Sequence, residues 1–99
     1  MPAYKLLEGF HAILPMEAIV VNPDTDINAG DSVKIGVACN NYVEKFWASV
    51  INVSSNGNYL VQVDQDLWCT PEHGLRDGSK LVVERKHIVA LLRGENHVL

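Results

Sequence analysis

The sequence predicts a mostly-β domain built as a small barrel, and three observations carry that prediction. Between residues 30 and 92, apolar and polar side chains alternate in short runs with a period of two, as in strands that bury one face. Glycines at 30, 57, 74 and 78 stand at the breaks between those runs. The runs make five or six strands in a chain of 99 residues. A sandwich needs about seven, so a small, strongly bent sheet closed into a barrel is the better fit.

The amino-terminal stretch is the least regular. Tyr4, Leu6, Leu7, Phe10, Ile13 and Leu14 fall on one stripe of a short helix, which Gly9 weakens and Pro15 ends. Ala18 to Val21 reads as a strand running into the turn Asn22-Pro23-Asp24, and Asp24 to Gly30 as a polar loop. From there the pattern sharpens. Val33, Ile35, Val37 and Cys39 alternate with Ser32, Lys34, Gly36 and Ala38 until Asn40-Asn41 breaks the run. Glu44 to Val53 has apolar residues at both parities, Phe46, Ala48 and Val50 on one side and Trp47, Ile51 and Val53 on the other. A strand covered on both faces is expected there, with the amino-terminal segment as its outer cover.

Asn56-Gly57 marks a hairpin turn into Tyr59, Val61 and Val63. The connection from Asp64 to Lys80 has no strand period; Thr70-Pro71 predicts one helical turn, capped by Thr70 and ended by Gly74. Leu81 and Val83 resume a strand, Lys86-His87-Ile88 forms a bend, and Val89 to Leu92 is the last strand. The division expected is an extension over residues 1–29 packed on the barrel, the barrel over 30–93, and a flexible tail over 94–99.

Length and composition bound the rest. One core of ordinary size accounts for 99 residues, 47% of them apolar and 20% charged. Cys39 and Cys69 read as reduced, partly buried thiols rather than a disulfide. No apolar run approaches the about 20 residues needed to cross a bilayer, so no membrane partner is expected. Met1-Pro2-Ala3-Tyr4-Lys5 lacks the order of an export signal, which makes cytoplasmic residence the expectation. A formal charge of -4 argues against a surface that wraps duplex nucleic acid.

Phe46-Trp47, Tyr59, Val63-Asp64, Asp66-Leu67, Thr70, His73-Gly74-Leu75, Gly78 and His87-Ile88 follow one another in a recognisable order. That order resembles a group of small bacterial and phage-associated domains of unknown function with an SH3-like barrel. The resemblance covers about residues 30 to 91. It implies an SH3-like β-barrel and no established activity.

Four constellations bear on function. Cys69-x-x-x-His73, with His87, Cys39 or His11, offers zinc-type donors, although a structural site normally shows two close ligand pairs and only one is present. His73 and His87 are possible acid–base groups, and Cys69 a possible nucleophile, but no oxyanion or phosphate-binding loop accompanies them. The plainer reading is that both histidines fix their loops by bonding backbone groups. Tyr42, Trp47, Tyr59 and Trp68 beside Asp64, Asp66 and Glu72 suggest a surface for a basic or methylated side chain or a proline-rich peptide. Lys34, Lys45, Lys80, Arg85 and Lys86 on the same sheet would suit single-stranded nucleic acid.

The expectation is therefore a non-enzymatic binding or accessory module without a cofactor. It recognises a protein or peptide partner, a basic one by preference, through Trp47, Tyr59, Asp64, Asp66, Trp68, Glu72 and His73. A single-stranded nucleic-acid-binding barrel is the alternative, and a metal-assisted hydrolase the third reading. Phe10, Ile13 and Leu14 of the amino-terminal segment offer a seam for a homodimer.

Overall fold

One long antiparallel hairpin organises the molecule. The computed structural model describes residues 4–94. In chain order its elements are β1 (Lys5–Leu6), β2 (Ile19–Val20), β3 (Ser32–Cys39), β4 (Tyr42–Val53) and β5 (Tyr59–Val63). The single-turn helix α1 (Thr70–His73), β6 (Lys80–Val83), a 3₁₀ turn at Arg85–His87 and β7 (Ala90–Leu92) follow. The central hairpin is β3–β4, registered from Ser32 opposite Ser49 to Cys39 opposite Tyr42. Its turn is Asn40-Asn41, both at positive φ, 50° and 71°. Two such residues in succession make the tight turn whose twist matches that of the strands, and asparagine tolerates this region better than most residues.

All strands join one antiparallel sheet in the order β2-β7-β3-β4-β5-β6, with β1 on the free part of β3. The mostly-β expectation holds, but the barrel does not form. Among the described residues the outermost strands, β2 and β6, are not paired with each other, so the sheet is open. Closure demands tilted end strands long enough to hydrogen-bond across the seam. Here β2 has two residues and β6 four.

The connections complete the core in place of a closing strand. The inward faces contribute Val33, Ile35, Phe46, Val61, Val83 and Leu91, each at most 1% exposed. Ile27, Leu75 and Ile88, none of them in a strand, join that cluster, with Leu67 and Val21 packed against it.

Three local expectations are revised. No helix forms in the described part of the amino-terminal stretch: Lys5–Leu6 pairs with β3, and the Leu7 N–H donates to the Gly36 carbonyl at 2.9 Å. Packing on a sheet rewards these apolar residues more than an isolated helical turn interrupted by Gly9 would. Gly36 is therefore buried; a Cβ there would lie 3.0 Å from Leu7 and 3.3 Å from Phe10. On β4 only one face is covered: Phe46, Ala48 and Val50 are buried, Trp47 is half-buried, and Ile51 and Val53 are 40% exposed. The pairing with β5 shifts register between Val50 and Asn52, which breaks the alternation there.

Thr70 is not the helix cap. Its hydroxyl donates to the Leu75 carbonyl at 2.6 Å, and the helix starts from Cys69 without a side-chain cap. Gly74 ends α1 as expected, at φ 79° with its N–H on the Thr70 carbonyl. The far end of the fold is tied by buried Asp31, which accepts from the Asn28 and Gly94 N–H groups and from Arg93. Of the tail predicted over 94–99, residues 95–99 lie outside the described residues.

Candidate functional site

The carboxylate of Glu44 organises the longest irregular connection of the clear part of the fold. Glu44 stands opposite Val37 at the inward parity of β4 and is 5% exposed. A buried carboxylate is tolerated only when its lone pairs are met, and here the loop supplies the donors. The Trp68 N–H donates to Oε2 at 2.8 Å, and the Cys69 N–H and His73 Nε2–H to Oε1, each at 2.9 Å. His73 Nδ1 accepts the Leu75 N–H at 3.0 Å. This assigns the ring proton to Nε2 and leaves neither nitrogen free.

The same loop is held to the β3–β4 hairpin a second time. The Cys39 thiol donates to the Glu72 carbonyl at 3.2 Å, and the Asn40 amide to the Glu72 carboxylate at 3.1 Å. Sequence reasoning missed Glu44. The signal was present, since the inward series Phe46, Ala48, Val50 extended back by two residues lands on it.

This arrangement places Trp68 outside and its backbone inside. Trp68 is 65% exposed, and its ring meets Tyr42 edge to face with centroids 5.9 Å apart; Tyr42 is itself 45% exposed. Glu72 is half-buried and Asp66 exposed in the same connection. Trp47 belongs to a different patch, about 16 Å along β4 from Tyr42 at roughly 3.3 Å per residue. There the Lys34 ammonium lies 5.2 Å from the Trp47 ring centroid, and Asp64 accepts the Ser49 hydroxyl at 3.2 Å. The Trp47 N–H donates to the Gln65 side chain.

Two of the predicted surface residues are not on the surface. Tyr59 is 5% exposed and belongs to the core, its hydroxyl 3.4 Å from Arg85. His73 is buried against Glu44, because a half-apolar ring with both nitrogens bonded belongs under the loop rather than on it. The structure therefore pairs Trp68 with Tyr42, leaves Asp66 and Glu72 in the same connection as Trp68, places Trp47 and Asp64 beside Lys34 and Ser49, and removes Tyr59 and His73.

His73 and His87, considered for metal and acid–base chemistry, have structural partners. His87 Nδ1 accepts the Glu84 N–H at 3.0 Å in a reciprocal cap of the 3₁₀ turn. Among the described residues no group of three or more His, Cys, Asp or Glu side chains is arranged to hold a metal ion. Cys39 and Cys69 are free, buried thiols. Burial first, then the carboxylates of Glu44 and Glu72, push the Cys69 thiol up from its ordinary pKa, which disfavours the thiolate.

Several cations expected on nucleic acid are engaged within the chain. Arg85 donates to the carbonyls of Asn22 and Thr25, Lys45 to the carbonyl of His11, and Lys86 lies 3.6 Å from Glu8. Burial first, then Lys45, hold the Lys34 ammonium below the usual lysine range. Among the described residues no helix is long and apolar enough to cross a membrane.

Comparison with known proteins finds no matching family model, no matching curated protein and no matching solved structure. The resemblance to SH3-like barrel domains is accordingly not upheld: no family carries it, and the open sheet contradicts it.

Proposed function

We propose that the chain is a binding module whose recognition surface is the Trp68–Tyr42 aromatic pair, flanked by the acids Glu72 and Asp66, and that it takes a peptide segment bearing Lys or Arg. The supporting observation is the combination at Trp68 of a 65% exposed ring and a backbone N–H tied to buried Glu44. An exposed indole on a loose loop would lose conformational entropy on binding; one on an anchored loop loses less. Ring faces attract a cation, and neighbouring carboxylates favour one sign of partner. Trp is also among the residues that dominate interface energies.

The test is selection of displayed random peptides on the wild-type domain and on Trp68→Ala, with a single-stranded oligonucleotide pool as the parallel probe. Enrichment of Lys- or Arg-containing peptides by the wild type alone is expected. Enrichment that persists with Trp68→Ala, or binding of the oligonucleotides with no peptide selected, would overturn the reading.

A further inference from the structure

The amino-terminal segment forms a second surface, sharing no residue with the one around Trp68. It borders an apolar groove of about 540 Å³ whose walls include Phe10, Leu14, Val20, Val21, Ile88 and Val89, with Arg85 and Lys86 also lining it. Beside Leu14, Ile13 is 96% exposed and Met16 99% exposed. One short segment thus supplies both a wall of the groove and two apolar side chains standing clear of the protein. Adjoining exposed apolar residues of this size mark an interface more often than a solvated loop. β2 follows directly; both its side chains are exposed, and among the described residues it pairs only with β7. Its free edge is available to a partner.

Charge selects the occupant. Glu17, next to Met16, is exposed. Arg85 at the groove spends its hydrogen bonds on two carbonyls and the Tyr59 hydroxyl, none of which neutralises its charge. The segment therefore presents two apolar knobs followed by an acid, and the groove presents apolar walls with a cation at its side. The same molecule carries both halves, as a two-fold interface requires, since each contact then occurs twice.

We infer that the chain self-associates through this face as a two-fold dimer. Ile13 and Met16 of each subunit enter the groove of the other, and Glu17 faces Arg85 of the partner subunit. Both knobs belong to the interface, and β2 is covered by it. Basic-peptide binding at Trp68 is independent of this contact.

Sedimentation equilibrium of the whole chain across the micromolar range tests it, with Met16→Lys and Glu17→Lys in parallel. Both positions are exposed, so the circular dichroism spectrum should match the wild type, whereas the thermal midpoint should match it only at concentrations too low for the wild type to associate. The expected result is a wild-type dimer, a dissociation constant raised about tenfold or more by Met16→Lys, and a smaller, salt-sensitive weakening by Glu17→Lys. A wild-type monomer overturns the inference, including one whose groove takes up a fluorescent fatty acid instead. So does a dimer indifferent to either substitution.

Discussion

His73 Nε2 lies 2.9 Å from the Glu44 carboxylate, and both side chains are at most 5% exposed. The pair joins a strand to the loop that displays Trp68, so the backbone that carries the exposed indole is tied to the sheet. Replacing Glu44 by Gln keeps the shape but turns an NH₂ group toward a backbone N–H that needs an acceptor. Loss of the charge-assisted bonds should cost about 2–4 kcal/mol in urea unfolding. Hydrogen exchange at the Trp68 and Cys69 amides should accelerate more than exchange in β3.

The raised Cys69 pKa has a signed consequence. Above the thiol's ordinary pKa the unfolded chain releases a proton that the folded chain retains, so stability falls as pH rises through that window and is fully present below it. Cys69→Ala should flatten this alkaline loss. Tyr4, raised by burial, acts in the same direction, and Lys34, lowered by burial, in the opposite one. Urea unfolding of both proteins across the alkaline range measures the difference. Folded wild type should also react slowly with a thiol alkylating reagent at neutral pH, and fast after denaturation.

Gly36 is the point where the amino-terminal segment lies on β3. Gly36→Val would place new carbons against Leu7 and Phe10, already 3.0 and 3.3 Å from an added Cβ. A cost of about 1–3 kcal/mol is expected, with the change in chemical shift concentrated at residues near Leu7 and Phe10.

The β3–β4 turn is equally specific. Asn41→Val forces a β-branched residue into φ 71° and should cost about 1–2 kcal/mol, whereas Asn41→Gly should be neutral or mildly stabilising. Thermal unfolding of the two variants reads the sign directly.

The period-two pattern made β3, β5 and β6 legible because their alternate side chains are buried, the apolar run Val89 to Leu92 marked β7, and the polar breaks at Asn40-Asn41 and Asn56-Gly57 mark real turns. What alternation cannot encode is whether the outer strands meet. That depends on strand length and on Ile27, Leu75 and Ile88 reaching the core from connections with no periodic signature. The site was partly legible for the same reason. Trp68 in an aperiodic stretch reads as exposed, and it is; Tyr59 sits at a core parity shared with Val61 and Val63, and its ring followed that parity inward. Glu44 escaped notice because charged residues are expected outside, and only its three donors, brought from 24 to 29 residues away, make burial tolerable.

The claim that Trp68 is displayed for recognition is tested most directly by titrating the selected basic peptides into Trp68→Ala and Trp47→Ala. Both variants should remain folded, since neither ring is in the buried core. The account predicts an affinity loss of about tenfold or more for Trp68→Ala and little change for Trp47→Ala, in keeping with the dominance of a few interface residues. Equal affinity for Trp68→Ala and wild type, or a loss confined to Trp47→Ala, would contradict it.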